Sequence, residues 1–261
     1  MNLPEYNAFA EQLRRNLEAD PRVVGLIACG SMAQLDTRPD DWSDHDFLVV
    51  VQPGLQESFR EHLGWLPDVD RVAYRFRETA HGLKLLYESG HMLEFAVFDP
   101  DELRVGRFNR FRVLLDRADL QRRMEEIVAT TREARRAEAP SDAFAIGQVL
   151  TGVLVAYGRW VRGERLSARS FLINMVMPNL VQLFRKYGTA VGGTGSTDNL
   201  DPLRRFEFGH VAEGEMLNEV LDRPLPQAAS GLLELARREL AGRMPEFPEA
   251  ALAAVRRRVV A

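Results

Sequence analysis

The sequence predicts an α+β protein, in which a mixed sheet with flanking helices is followed by an α-helical bundle domain. Short runs rich in Val, Ile and Leu, typical of buried strands, recur up to residue 116 and then stop. Helical periodicity dominates from residue 119 onward. Between the two regions, the segment 137–142 contains Pro140 among polar residues and predicts a domain boundary, which gives domains at 1–139 and 140–261.

The first half contains alternating or continuous apolar runs that favour strands. It also contains three stretches that favour helices. Predicted strands cover residues 23–28, 44–51, 69–76, 83–87, 92–98 and 112–116. Predicted helices cover residues 5–19, 55–63 and 119–136. The residues 88–91 include a Gly and predict a hairpin turn between two of the strands.

The second half is predicted to be helical throughout. Ser141 is a suitable N-cap for a helix that runs to about residue 162. A second helix is expected over 168–187, with Pro178 kinking or dividing it. Pro202 suits the first turn of a third helix, and further helices are expected over 226–240 and 248–260. The segment 188–199 holds four glycines and is expected to form a mobile loop.

The composition is that of an ordinary soluble protein. Of 261 residues, 46% are hydrophobic and 28% are charged, enough to bury a sizeable core. The net charge of -4 argues against nucleic acid as the main partner. Cys29 is the single cysteine, no basic and apolar leader begins the chain, and no apolar run is long enough to span a bilayer. These observations predict a cytoplasmic protein without a membrane partner.

One stretch, residues 29–51, concentrates the candidate chemistry. It closes on Asp44-His45-Asp46, which lead into the apolar run 47–51. Because side chains alternate along a strand, Asp44 and Asp46 should share one face and His45 should lie on the other. Two carboxylates so close repel each other unless a cation lies between them, and oxygen ligands suit Mg²⁺. The alternative for the two aspartates is a solvated strand start.

The same stretch opens with Gly30-Ser31, directly after the first apolar run. Gly allows a sharp turn and a close approach of a ligand, and the N–H groups of a helical start can hold a phosphate together with the Ser31 hydroxyl. The alternative for Ser31 is a plain helix N-cap, which is compatible with phosphate binding. A phosphate site beside a carboxylate pair predicts a metal–nucleotide site.

These motifs resemble the signature of the nucleotidyltransferase superfamily, which includes DNA polymerase beta and antibiotic-modifying enzymes. The shared features are a strand, Gly30-Ser31, the spacer 32–43, and Asp44-His45-Asp46 entering a second strand. Family members usually add a third carboxylate on a later strand, and Glu94 within 91–98 provides one. The layout is most similar to the lincosamide and aminoglycoside nucleotidyltransferases. The motifs cover the first half of the chain, whereas the second half matches in helical character only.

The resemblance implies a nucleotidyltransferase fold and transfer of a nucleoside monophosphate from a nucleoside triphosphate, with ATP expected, to a hydroxyl group of a small acceptor. It implies that Asp44, Asp46 and Glu94 bind Mg²⁺ and act in catalysis, with Glu94 as metal ligand, base or both. Gly30 and Ser31 would hold phosphates, and Lys84 is a further candidate for that contact. The helical domain would bind the acceptor, which could be an aminoglycoside or lincosamide antibiotic.

Several alternatives stay open at this point. Asp99 could replace Glu94 as the third carboxylate, although Pro100 after it favours a turn. Lys84 could be a solvated strand residue. The acceptor could be a protein or tRNA, or the chain could be a non-catalytic nucleotide-binding module. Acidic residues in or after the Gly-rich segment could meet a cationic acceptor or form a solvated helix face: Asp198, Asp201, Glu207, Glu213 and Glu215. The sequence leaves the oligomeric state open.

Overall fold

The computed structural model describes residues 1–35, 38–189 and 200–259. The chain divides into two compact units, Met1–Arg136 and Ala137–Ala261. A six-stranded mixed sheet with flanking helices occupies the first unit, and the second unit is helical over its described residues. The predicted α+β fold class is therefore confirmed.

The sheet has the strand order β3-β4-β5-β2-β1-β6. The strands are β1 Val23–Cys29, β2 His45–Val51, β3 Val72–Arg77, β4 Gly82–Tyr87, β5 Met92–Phe98 and β6 Phe111–Asp116. The central strand β2 pairs antiparallel with β1 and parallel with β5, and all other pairs are antiparallel. This pairing brings the segments that follow β1 and precede β2 to the same edge of the sheet.

Three helices belong to the first unit: α1 Leu3–Glu18, α2 Gln56–Glu61 and α3 Leu120–Glu138. A capping box between Asn2 and Glu5 starts α1. Because side chains alternate along β2, Phe47 and Val49 pack with the apolar stripe of α1, while Leu48 packs on the other face with α3. The sheet thus has an α1 face and an α3 face.

The second unit is built from seven described helices around one core. They are α4 Asp142–Val161, α5 Arg165–Phe171, α6 Met177–Tyr187, α7 Phe206–Gly209, α8 Val211–Leu221, α9 Leu225–Leu240 and α10 Glu249–Val259. The Ser141 side chain accepts a hydrogen bond from the Phe144 N–H at the start of α4, as its N-cap position predicts. A π-helical turn, Leu172–Val176, divides α5 from α6 just before Pro178.

The helix expected to begin at Pro202 does not form. The Asp201 carboxylate accepts the N–H groups of Leu203 and Arg204 at 2.9 and 3.3 Å, which closes a local turn. Arg205 then takes a left-handed backbone conformation with φ of 60°, so the chain turns before α7 and α8 begin. The Gly-rich segment 188–199 lies mostly outside the described residues.

By length and composition alone, α4 could cross a membrane. Its apolar residues are interrupted by polar ones, so they do not form one unbroken apolar run in the sequence. Its side chains Ile146, Val149 and Val153 are buried in the core of the helical unit. Burial on that core accounts for this side of the helix, whereas Leu154, Val155 and Val161 of the same helix are exposed.

Candidate active site

The turn after β1 lies directly against Asp46. Gly30 begins a short 3-10 turn, Gly30–Ala33, with a φ of +49°, a conformation that favours glycine. A Cβ atom at Gly30 would lie 3.0 Å from the Asp46 Oδ2 atom. The absence of a side chain therefore lets the turn lie directly against the carboxylate.

Asp44 and Asp46 flank the first residue of β2. The strand begins at His45, one residue later than predicted, so Asp44 immediately precedes it. The Tyr6 hydroxyl, on α1, donates a hydrogen bond of 2.7 Å to the Asp44 carbonyl oxygen. Burial raises the pKa of the Cys29 thiol, and the charge of Asp46 adds to this shift. Cys29 is therefore a buried thiol whose environment disfavours the reactive thiolate.

His45 anchors the start of β2 on the α1 face. It is fully buried, and its ring stacks on Tyr6 with 3.7 Å between the ring centroids. Its Nε2 atom lies 3.0 Å from the Tyr6 carbonyl oxygen, and its Nδ1 atom lies 2.7 Å from His91 Nε2. Burial lowers the pKa of His45 to about 3, with a further contribution from His91. A neutral His45 must donate from Nε2 to the carbonyl, so its Nδ1 accepts from His91.

A hydroxyl-rich, charged neighbourhood surrounds Tyr6. Burial raises the pKa of the Tyr6 hydroxyl well above its usual value, a hydrogen bond with Ser31 opposes this shift, and the charges of Asp44 and Asp46 add to it. Arg112 acts on the same hydroxyl and lowers its pKa. The structure thus brings Ser31, both aspartates and two residues missed from the sequence into one neighbourhood.

Arg112 supplies a positive charge beside the Gly30–Ala33 turn. It is exposed on β6, and its Nη2 atom donates to the Met32 carbonyl oxygen at 3.3 Å. In the sequence, Arg112 is a charged residue between two apolar ones, Phe111 and Val113. Both of these contribute to the packing on the α3 face. That signal alone did not indicate contact with a turn far away in the sequence.

Glu94 lies next to Asp46 across the parallel pair of β2 and β5, where the two are register partners. Their side chains therefore share the α3 face. Lys84, the register partner of Glu94 on β4, has its Nζ atom 3.1 Å from Glu94 Oε2 and 2.7 Å from Glu78 Oε1. Hydrogen bonding to Glu78 raises the pKa of Lys84, and Glu94 adds to the shift. In this structure the ammonium of Lys84 contacts carboxylates on both sides.

The donor set fits a hard divalent cation. Within the described ranges, no group of three or more His, Cys, Asp or Glu side chains is arranged to hold a metal ion. Mg²⁺ is usually held by one or two carboxylates together with substrate phosphates rather than by a full protein cage. Asp44 and Asp46, next to the turn that begins at Gly30, match that pattern.

The remaining acidic candidates have structural roles or lie elsewhere. Asp99 Oδ1 accepts the N–H groups of Asp101 and Glu102, both at 2.8 Å, and its Oδ2 accepts from Gln56. Asp99 therefore caps the turn after β5, as its position before a proline indicated. Glu213 is buried, whereas Asp198 lies outside the described residues.

Comparison with protein-family models and with curated proteins finds no match. Among solved structures, the chain is similar to an aminoglycoside 6-adenyltransferase from Bacillus subtilis, with 14% identity, 96% of this chain and 97% of the other covered, and a TM-score of 0.34. It is similar to the Bradyrhizobium diazoefficiens CD-NTase CdnG in complex with GTP, with 16% identity, coverage of 98% and 82%, and a TM-score of 0.27. It is also similar to an E. coli MS115-1 CdnC:HORMA-deltaN complex, with 14% identity, coverage of 99% and 92%, and a TM-score of 0.27.

Proposed function

We propose that the chain transfers a nucleoside monophosphate from a nucleoside triphosphate to a hydroxyl group of a small acceptor, with release of pyrophosphate. The observation that carries the proposal is the approach of Gly30 to Asp46, where a Cβ atom would lie 3.0 Å from the carboxylate. Phosphate and carboxylate groups repel each other unless a cation lies between them. A metal-bound triphosphate is therefore the ligand that this arrangement fits.

In this proposal Asp44 and Asp46 hold Mg²⁺, which when bound neutralises charge on the triphosphate. The Ser31 hydroxyl and the N–H groups of the turn bind the terminal phosphates, because donors at a helical start are unpaired within the helix. Arg112, beside the same turn, adds a positive charge for these phosphates. Tyr6 acts as a positioning residue, since its hydroxyl holds the Asp44 backbone.

Glu94 is assigned to the acceptor hydroxyl, as base, metal ligand or both. The acceptor oxygen forms a bond to the α-phosphorus while the bond to the bridging oxygen breaks, and pyrophosphate leaves with that electron pair. The hydroxyl proton passes to a carboxylate within reach. The register of Glu94 with Asp46 supports this role, and Lys84 beside it can contact either Glu94 or a phosphate.

The acceptor is proposed to be a small molecule bound by the helical domain 140–261, possible classes being aminoglycosides and lincosamides. Exposed carboxylates on that unit, at Asp201, Glu207 and Glu215, support binding of a cationic group. ATP is the proposed nucleotide. A cytoplasmic setting and the lack of a membrane or nucleic-acid partner stay parts of the proposal, supported by the net charge of -4 and the single cysteine.

A transfer assay tests the proposal. The full chain is incubated with Mg²⁺, radiolabelled ATP or GTP and a panel of acceptors that includes aminoglycosides, lincosamides, tRNA and a protein extract. Pyrophosphate release and mass spectrometry of the products identify the reaction, and the Asp46→Asn variant is the control. Nucleotide binding without any modified acceptor would favour the non-catalytic module, and modification of tRNA or protein alone would overturn the small-molecule acceptor.

A further inference from the structure

A second cavity of the first unit, which we call the arginine groove, has no part in the proposed reaction. It lies between the segment after β5 and the outer face of α3, and its volume is about 600 Å³. Four of its lining residues are arginines, and the acidic residue among its lining side chains is Glu126. The arginines are Arg104, Arg107, Arg122 and Arg123.

One end of the arginine groove lies far from the candidate active site. Asp46 lies at the start of β2, and β5 runs parallel to β2 from the same edge of the sheet. The groove is lined by Pro100, just past the other end of β5. From Glu94 to Phe98 alone the strand advances about 13 Å. A ligand at the Pro100 end of the groove is therefore distinct from one at the aspartates.

The arginines at the rim are held by exposed ion pairs. Arg104 lies 3.3 Å from Asp101, and these side chains are 73% and 79% exposed. Arg122 lies 2.6 Å from both Asp119 and Glu126, and all three are more than half exposed. Exposed pairs of this kind contribute little to stability, because solvent screens them. A polyvalent anion can therefore compete for these guanidinium groups.

Arg123 is the more enclosed member of the groove. Its Nη1 atom donates to the Pro100 carbonyl oxygen at 3.3 Å and lies 3.6 Å from Asp101. Its Nε atom is buried and has no hydrogen-bond partner within the described part of the chain. The side chain as a whole is 32% exposed, so part of it is accessible from the groove that it lines.

The lining of the groove includes apolar side chains beside the arginines. Val105, which is 65% exposed, and Ile127 of α3 are two of them. The Phe108 N–H donates to the buried Thr131 hydroxyl at 3.3 Å, which ties the segment after β5 to α3. Arginines beside apolar side chains suit a ligand that carries both phosphate groups and a ring.

We propose that the arginine groove binds a small polyphosphate, either free or as the tail of a nucleotide, without need of a divalent metal. The planar fork of each guanidinium can donate two hydrogen bonds to one phosphate group. The proposal does not depend on the proposed transfer reaction, because the groove shares none of its residues with the candidate active site.

Isothermal titration calorimetry of the full chain in EDTA tests this site with tripolyphosphate, ATP and adenosine as probes. We expect the two phosphate-bearing probes to bind and adenosine not to bind. The double variant Arg104→Ala/Arg122→Ala should weaken tripolyphosphate binding about tenfold, because two charge-assisted contacts are lost. The matched control, Arg71→Ala/Arg162→Ala, removes two similarly exposed arginines elsewhere and should leave binding unchanged.

A second variant keeps the test independent of folding. Glu126→Gln removes the negative charge from the groove lining and should tighten tripolyphosphate binding, with circular dichroism confirming the native fold. Equal affinity in the arginine variant and its control, or unchanged binding in Glu126→Gln, would overturn the proposal. ATP binding with no tripolyphosphate binding would contradict phosphate recognition. A single-stranded RNA that binds in the groove far more tightly than tripolyphosphate would replace the small ligand with a nucleic acid.

Discussion

Gly30 carries two separate constraints, its backbone conformation and its closeness to Asp46. Its φ of +49° is strained for any residue with a Cβ atom, and that atom would lie 3.0 Å from Asp46 Oδ2. We expect Gly30→Ala to cost about 1–2 kcal/mol of stability and to reduce transfer strongly, because the added methyl group fills the space next to the carboxylate.

Gly54 provides the matched control for this variant. It also has a positive φ, of +87°, but nothing lies within 4 Å of a Cβ atom placed there. Gly54→Ala should therefore lose comparable stability in urea denaturation and keep its activity. If both variants retain full transfer, the space at Gly30 is not used by the substrate.

The aspartate pair is expected to be essential for transfer and dispensable for folding. Asp44→Asn and Asp46→Asn should each nearly abolish nucleotide transfer and weaken Mg²⁺ binding in calorimetry. The melting temperature without metal should stay the same or rise, because a repulsion between carboxylates is removed. Asp41→Asn, on the exposed segment just before the pair, should leave transfer unchanged. Normal pyrophosphate release in either active-site variant contradicts the assignment.

The role of Glu94 can be distinguished from that of its neighbour Lys84 by comparing variants of the two carboxylates that contact Lys84. Both Glu94 and Glu78 contact the Lys84 ammonium, but only Glu94 is in register with Asp46. Glu94→Gln should slow transfer about a hundredfold, the scale of a lost general base, with little effect on stability because the pair is partly exposed. Glu78→Gln should keep near wild-type rates. Equal losses in both variants would move the role to Lys84.

At the scale of elements, local patterns predicted the sheet well and the helical half less well. The predicted strand 92–98 coincides with β5, since its alternation of buried and exposed side chains is a purely local signal. The helix expected at Pro202 failed because Asp201 closes a turn and Arg205 leaves helical conformation. A proline that is favourable at a helix start does not determine the backbone conformation of the residues that follow it.

The sequence motifs predicted which residues of the candidate site lie close together. They did not predict the contacts between residues that are far apart in the sequence. Gly30, Ser31 and the aspartates stand together in the sequence, so their nearness follows from two adjacent strands. Tyr6 reaches Asp44 across 38 positions, and Arg112 reaches Met32 across 80. Such contacts depend on how α1 and β6 pack on the sheet, which periodicity does not specify.

The junction of α7 and α8 should make stability depend on pH. His210 is buried there, stacked on Phe206, and burial lowers its pKa, with Arg185 acting in the same direction and Glu213 opposing it. Because the folded-state pKa lies below the unfolded value, stability is full above about pH 6.5 and falls as the pH drops below it.

Urea denaturation at pH 7.5 and 5.5 measures this effect. Wild type should lose more stability on acidification than His210→Gln, whose residue 210 does not titrate. The slope that remains in the variant is expected from His45 and His91, whose pKa values burial also lowers. Identical slopes in the two proteins would show that His210 protonates freely in the folded state.

At the scale of the whole molecule, each unit has its own hydrophobic core. The residues proposed to bind metal and phosphate all belong to the first unit, whereas acceptor binding is proposed for the second. A fragment of residues 1–139 should therefore bind Mg²⁺-ATP weakly and transfer nothing, as measured by calorimetry and product analysis. A fragment that modifies acceptors as well as the full chain does would remove the proposed role of the helical half.

Through the contact of Tyr6 with Asp44, the first helix borders the candidate active site. The Tyr6 hydroxyl holds the backbone before β2, and its carbonyl oxygen holds His45. A shift of α1 by a fraction of a turn would move both Asp44 and His45, although these residues are far from α1 in the sequence. In the proposed reaction, a fusion partner joined rigidly to Met1 is therefore expected to reduce transfer, and engineering of this chain should treat Leu3–Glu18 as part of the candidate active site.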